Sequence, residues 1–389
     1  MAPLKTAVIG CGHLGKFHTR ILAGMPDVQL VGVVDSVAPA AEDLATQYDV
    51  EWQTDYRKLS TPIEAVVLAV PTKLHHRIGI ELLSRGIHLL VEKPLALTFS
   101  QGDEMVRAAR RSGAVLAVGH VERFNPVLTA AGPYLKSPKY VTANRLVVHS
   151  MRSTDIGAVL DLMIHDLDLL LHLVREPVEH VEALGISVLG GAEDVANARL
   201  TFSDGCVASL NASRVSFTSE RSMQIWSEQA YAGLDFVTRT ATVVRPSQQV
   251  RDRQIDLDRL TPSERLSLRE ELFTRHLQKE QFTADPVDQL TAELTDFVQA
   301  AKTGGSPAID GVDACRALAL AERILAKIDI HRWDGSPDGR CGPLLQRPLL
   351  PPIPSPHWNQ VQRPASHSPR AGNLRSLPGE ASAADDADQ

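Results

Sequence analysis

Asp161 and His165 stand four residues apart in the apolar run Leu160-Asp161-Leu162-Met163-Ile164-His165-Asp166-Leu167-Asp168-Leu169. On an α-helix such a pair shares a face and lies within reach. A carboxylate beside an imidazole fixes its tautomer and raises its basicity, as a general base needs in order to take a proton from an alcohol. Polar groups in so apolar a stretch require partners or a ligand. The same spacing also suits a structural Asp–His hydrogen bond or a helix cap. A third option is a metal site shared by Asp161, His165, Asp166, Asp168 and His172, since carboxylate and imidazole are suitable ligands. Spacing alone leaves these readings open.

A second chemistry is written at the N-terminal end. The apolar run Thr6-Ala7-Val8-Ile9 is broken by Gly10-Cys11-Gly12-His13-Leu14-Gly15. In a strand, turn and helix of this kind, Gly10 makes the turn tight, Gly12 lets backbone approach a pyrophosphate, and Gly15 lets the helix close on the sheet. The anion sits at the helix N-terminus, on unpaired N–H groups and the positive end of the dipole. The helix that follows reads with Phe17, Ile21 and Leu22 inward. A second apolar run, 28–34, ends in Asp35, twenty positions after Gly15, where a dinucleotide fold needs a carboxylate for the adenosine ribose hydroxyls. No Arg directly follows Asp35 to welcome a 2′-phosphate, so NAD is favoured over NADP.

These groups must be positioned by strands and helices. Over residues 1–122, apolar runs (65–70, 88–91, 115–118) alternate with helical stretches (72–85, 100–112), the mark of a Rossmann parallel sheet with helices on both faces. Ligands bind outside the carboxyl edge of such a sheet, where Pro71-Thr72 and Glu92-Lys93-Pro94 fall. A charged pair directly after a strand reads equally well as a solvated turn. Over residues 123–330 the pattern changes to longer strands with polar alternation (140–149, 178–188, 195–202, 206–214, 224–227, 231–238), after a helical insertion at 155–174. That predicts an α/β domain with an open, mainly antiparallel sheet whose free face is a route to a homodimer or homotetramer. Residues 251–281 read as a solvated helix with flanking loops. Two amphipathic helices, 290–301 and 311–328, complete the second domain. Residues 331–389 hold ten of the 24 prolines, with Ser, Gly and Gln between them, and read as a disordered tail.

At 389 residues the chain exceeds the roughly 250–300 at which single cores stop growing. A net charge of −7 argues against nucleic-acid or anionic-membrane partners. Cys11, Cys206, Cys315 and Cys341 lack zinc-site or disulfide spacing. The first strand begins too early for the apolar region of a signal peptide, and no run approaches the roughly 20 apolar residues that span a bilayer. The expected location is a reducing cytoplasm.

Taken together, Gly10-Cys11-Gly12-His13-Leu14-Gly15, Glu92-Lys93-Pro94-Leu95 and the Asp161/His165 helix resemble the glucose-fructose oxidoreductase, inositol dehydrogenase and MocA family, over roughly residues 5–328. The resemblance implies an NAD(P)-dependent enzyme acting on a sugar or cyclitol carbon. Gly10, Gly12, His13, Leu14, Gly15 and Asp35 would hold the cofactor, with Pro71, Thr72 and Glu92 at the nicotinamide end. Lys93 would meet the substrate hydroxyl, with the following Pro94 in a cis peptide. His165 would receive the proton, oriented by Asp161, Lys93 and His165 acting as a coupled pair. No metal is implied. Gly119-His120-Val121-Glu122-Arg123-Phe124-Asn125-Pro126 looks like the branch that oxidises C3 of UDP-N-acetylglucosamine, and also resembles the related branch acting on UDP-N-acetylglucosaminuronate, with Arg123, Arg152 and Arg214 for the diphosphate and Asn125 for the sugar. Two features depart from the family pattern: a single glycine in Asp155-Ile156-Gly157-Ala158-Val159, and the stretch 251–281. The alternatives are a free cyclitol or monosaccharide as substrate, or a non-catalytic NAD(H)-responsive binding protein.

Overall fold

The computed structural model describes residues 2–148, 155–189, 191–333, 336 and 341–343. Arg152 and most of the 331–389 segment, with the reading made of each, lie outside the described residues. Two sheets form one compact unit.

The first sheet comprises β1 (Leu4–Ile9), β2 (Val28–Val34), β3 (Glu51–Gln53), β4 (Ala65–Leu68), β5 (His88–Glu92) and β6 (Leu116–Gly119). They lie in the order β3-β2-β1-β4-β5-β6, every pair parallel. Strands covered on both faces read as unbroken apolar runs, and all four residues of β4 are buried. Helices α1 (His13–Ala23), α2 (Ala38–Tyr48), α3 (His75–Ser84) and α4 (Phe99–Ser112) connect them. Helix α4 shows why local sequence suffices here: Thr98 caps its start by accepting from Gln101 N, and Gly113 ends it at φ 73°. The order reverses between β1 and β4, which opens a crevice at the carboxyl ends of the strands.

After the short helix α5 (Pro126–Ala131) comes the second sheet. It comprises β7 (Pro138–Leu146), β8 (Val178–Ile186), β9 (Val195–Phe202), β10 (Val207–Ser213), β11 (Glu220–Ser227), β12 (Tyr231–Asp235), β13 (Thr240–Pro246) and β14 (Leu277–Thr283). Its order is β14-β13-β12-β11-β7-β10-β9-β8, antiparallel except for the β7–β10 pair. Alternate residues such as Ala196, Ala198, Leu200 and Phe202 face a core shared with α6 (Ile164–Val174). On the β7, β11 and β12 strands Tyr140 stacks on Trp226 at 5.1 Å, and Trp226 meets Tyr231 at the same distance.

Strands β13 and β14 were not anticipated. Residues 251–281 contain the end of α7 (Gln248–Arg251), then α8 (Pro262–Glu271) with a Thr261/Glu264 capping box, and then most of β14. Strand β14 is an edge strand whose polar side chains are largely exposed, so it carries no alternation to read and is held by main-chain pairing to β13. The C-terminal helices also differ from expectation. Helix α9 (Gln289–Thr303) buries Leu294, Phe297 and Val298 with Leu4, Val8 and Leu22, so it completes the first domain. Helix α10 (Gly311–Ile330) straddles both domains, with Ala314 and Cys315 in the first core and Leu318, Ala321 and Ile324 in the second. An amphipathic pattern specifies that a face is buried, not which sheet buries it.

Candidate active site

The turn after β1 shapes one end of a cleft. Gly10 sits at φ 101°, and a Cβ there would come 2.3 Å from the Ala69 carbonyl oxygen. A Cβ on Gly15 would lie 1.8 Å from the Gly10 oxygen, so α1 closes onto the turn only with glycine at both positions. Gly12, the N-cap of α1, faces open space. At the end of β2, Asp35 accepts from Cys11 N at 2.8 Å and Val37 N at 2.9 Å. These bonds fix its carboxylate at a cavity of about 390 Å³ that Gly10, Gly12 and Pro71 also line. Helix N–H groups for a diphosphate and a fixed carboxylate for a ribose fit a dinucleotide.

Helix α1 turns differently from the sequence reading. Its inner face carries Gly15, His18, Thr19 and Leu22, whereas Phe17 is exposed and packs edge-on against His13 at 4.9 Å. Burying His18 is made possible by Glu92, whose Oε1 lies 2.6 Å from His18 Nε2. Burial opposes the Glu92 charge, but the hydrogen bond and charge of His18 outweigh it and hold the carboxyl below its usual range. A histidine three residues after Gly15, on the face turned to the sheet, was the signal available for this pair.

Through Ala69, Val70 and Pro71 the cleft continues into a cavity of about 580 Å³ at the carboxyl ends of β4, β5 and β6. His13, Leu14, Pro71, Thr72, Glu92 and Lys93 reach it from the first domain. Asp161, His165, Arg145 and Arg221 reach it from the second. The Lys93–Pro94 peptide is cis. Lys93 Nζ donates to the Asp161 carbonyl at 2.7 Å and to Asp161 Oδ1 at 2.9 Å. The two side chains are 16% and 17% exposed, enough to be reached by a ligand and little enough to be held in place.

The expected Asp161–His165 hydrogen bond does not form. Residues Val159–Met163 make a π-helical turn ahead of α6, and its wider winding breaks the geometry that puts residues four apart on one α-helical face. Asp161 turns to Lys93 instead, and His165 Nδ1 is buried without a partner. Burial, with Lys93 and Arg145 nearby, holds the His165 ring well below the ordinary histidine range, so it is neutral at pH 7. The His120 ring lies edge-on to it at 6.2 Å.

Arg145, on β7, was missed by sequence reasoning. It binds Asp166 through Nε at 3.0 Å and Nη2 at 2.8 Å, and Glu122 through Nη1 at 2.8 Å. Burial works against its charge, yet Asp166 and Glu122 raise its pKa. Arg221, on β11, was also missed. Its ion pair to Glu122 is long at 3.8 Å, and its side chain is 48% exposed at the cavity rim. Alternating strands in this sheet present such side chains to one face, but nothing local distinguishes them from surface arginines.

Three of the proposed substrate-binding residues are engaged elsewhere. Arg123 forms a two-point pair with Asp168 at 2.7 Å and reaches Asp313 at 3.1 Å, facing a separate cavity. Asn125 is buried, caps α5 at Val127 N, and donates to Glu122 and to the Phe236 carbonyl. Arg214 is buried on Asp194 at 2.6 Å and on the Ile156 carbonyl at 2.8 Å. Each is a polar group satisfied within the fold rather than directed at the cavity.

The one-glycine segment has a clear steric logic. Glu193 accepts from Val159 N at 2.9 Å, and a Cβ on Gly157 would come within 2.1 Å of its carboxylate. Gly157→Ala is therefore expected to displace a buried cap and lower stability by about 1–3 kcal/mol, read as a fall in thermal midpoint. An unchanged midpoint would mean the Glu193 carboxylate moves aside freely.

A UDP-N-acetylglucosamine 3-dehydrogenase of Acidithiobacillus ferrooxidans is 32% identical over 342 residues, which cover 85% of this chain and 98% of that protein. The chain belongs to the Gfo/Idh/MocA oxidoreductase family. The family's NAD-binding Rossmann fold matches residues 4–120 and its C-terminal domain residues 145–232. A solved structure of the Acidithiobacillus enzyme superposes with a TM-score of 0.73 at 31% identity, covering 84% of this chain and 98% of that one. Myo-inositol 2-dehydrogenase of Thermotoga maritima is 24% identical, over 82% of this chain and 94% of that one. The protein is thus an NAD-binding Gfo/Idh/MocA oxidoreductase, with the two-sheet architecture expected of it. Among the described residues no helix is long and apolar enough to cross a membrane.

Proposed function

We propose that the enzyme oxidises a secondary alcohol of a UDP-linked sugar, C3 of UDP-N-acetylglucosamine, with NAD. The observation that carries this reading is Arg221, a loosely paired cation at the rim of the cavity that holds Lys93 and His165. A neutral cyclitol has no use for it, whereas a diphosphate does. The similarity to the Acidithiobacillus enzyme supports the same substrate class.

In this reading Lys93 donates to the substrate oxygen and stabilises the charge that develops there as the O–H bond breaks. Asp161 positions that ammonium. Neutral His165 takes the proton on Nε2, its other ring nitrogen being enclosed by protein. NAD, when bound along Gly10, Gly12 and Asp35, supplies the acceptor for the hydride. Pro71, Thr72 and Glu92 wall the nicotinamide side and exclude water there.

Initial rates of NADH formation with UDP-N-acetylglucosamine, other UDP-sugars and inositols test the proposal. Turnover is expected with UDP-N-acetylglucosamine, and Arg221→Gln should raise its KM about tenfold with a smaller effect on kcat. The likeness to the Thermotoga inositol enzyme favours the competing reading. Turnover of myo-inositol with none on any UDP-sugar would establish it instead. We also place the enzyme in a reducing cytoplasm as a homodimer or homotetramer. In support, Cys11, Cys206 and Cys315 are buried free thiols, and the Tyr140–Trp226–Tyr231 stack offers an apolar surface to another copy.

A further inference from the structure

Behind one wall of the active cavity lies a second, of about 700 Å³, bordered by α6, the start of β8 and α10. Arg123, Arg175, Arg316 and Arg323 converge on it, with His172 among them. Pro177, Val178 and Leu320 add an apolar wall.

The four guanidinium groups are not equally occupied. Arg123 is held by Asp168 and Asp313. Arg323 donates to the Val178 and Glu179 carbonyls at 2.8 and 3.1 Å. Arg175 contributes its Nε to the His172 carbonyl at 3.2 Å, which leaves its two terminal nitrogens for another acceptor. Arg316 is 69% exposed, with Asp313 at 3.5 Å. Arg175 occupies the residue after α6 at φ 61°, where glycine is the unstrained choice, so a long cation stands in a conformation that costs it more than glycine. His172 senses the local field. Burial lowers its pKa, and so do Arg123 and Arg175, which outweigh Asp168 and Asp313.

We propose that this cavity is a second ligand site, taking a small organic phosphate. Planar guanidinium groups with spare N–H pairs match phosphate oxygens two at a time, and the apolar wall accepts a carbon skeleton. The volume falls in the range of about 300–1,000 Å³ typical of small-molecule sites. The two cavities share a wall. Glu122 faces Arg145 on the active side while Arg123 faces the second site, and on α6 Asp166 and Asp168 divide in the same way. A phosphate held by Arg175, the residue after α6, therefore sits at the end of the helix that also carries His165.

The test uses the full-length protein saturated with NADH and titrated calorimetrically with ribose 5-phosphate, glucose 6-phosphate and AMP. At least one should bind saturably and move the NMR titration midpoint of His172 to higher pH, because an adjacent anion favours the imidazolium. The double variant Arg175→Gln/Arg316→Gln should weaken that binding about tenfold or more while keeping the parental thermal midpoint, and Arg221→Gln should leave it intact. The proposal is overturned if none of the three binds, if binding survives the double variant unchanged, or if Arg221→Gln alone abolishes it, which would place the phosphate in the active cavity.

Discussion

Lys93→Ala is expected to lower kcat by about 10²–10⁴-fold, the range for loss of a charge-stabilising or proton-transferring group, while NADH binds with near-parental affinity. Lys93 stands at the end of β5 with its ammonium pinned between the carbonyl and carboxylate of Asp161, so the cation is already aimed before substrate arrives. The nucleotide end of the cleft, built from Gly10, Gly12 and Asp35, does not depend on it. The same variant carries an independent electrostatic readout. After burial, Lys93 is the largest contributor to the depressed pKa of His165. Removing that cation favours the protonated ring, so the His165 titration in the NMR spectrum should move to higher pH. Turnover near the parental rate would remove Lys93 from the mechanism. A His165 midpoint that does not move would mean the two side chains are not electrostatically joined.

The largest effect on stability is expected from Arg145→Met, at about 3–5 kcal/mol. Arg145 is 2% exposed, and its partners Glu122 and Asp166 are 5% and 1% exposed, so the substitution leaves two buried carboxylates with only the half-exposed Arg221, 3.8 Å from Glu122, as a nearby cation. Burial already raises the Asp166 pKa, and Arg145 is the main influence opposing it. Without the guanidinium the folded-state pKa of Asp166 rises further above its unfolded value. The stability deficit should therefore be greatest at neutral pH and shrink as pH falls and Asp166 protonates in the folded state. Adding Glu122→Gln and Asp166→Asn should recover most of the loss, because neutral amides are cheaper to leave there than charges. Thermal midpoints over a pH series decide the matter: a deficit independent of pH, with no recovery in the triple variant, would show that Arg145 matters only for its packing.

Much of this architecture was legible because its determinants are local. The turn Gly10 to Gly15 needs only its own glycines, and β4 and β5 announce themselves as apolar runs ended by Pro71 and by Glu92-Lys93-Pro94. Asp35 falls at the end of β2 by chain length alone. Strand β14 was hidden because an exposed edge strand needs backbone partners and no pattern. On α1 apolar character points to Phe17 as an inner residue, yet Phe17 lies outward and His18 is buried, because the internal Glu92 carboxylate makes the imidazole the better fit.

By itself the sequence determined the elements, the glycine turn, the family resemblance and the set of groups with chemistry to offer. Only the tertiary structure decided who partners whom. Asp161 belongs to Lys93, 68 residues away, rather than to the histidine one turn along. Arg123, Asn125 and Arg214 are consumed by the fold, while Arg145 and Arg221 come to the cavity. The reason is physical: a chain records the sign of each charge, but desolvation and distance choose its counterpart, and both are properties of the packed molecule.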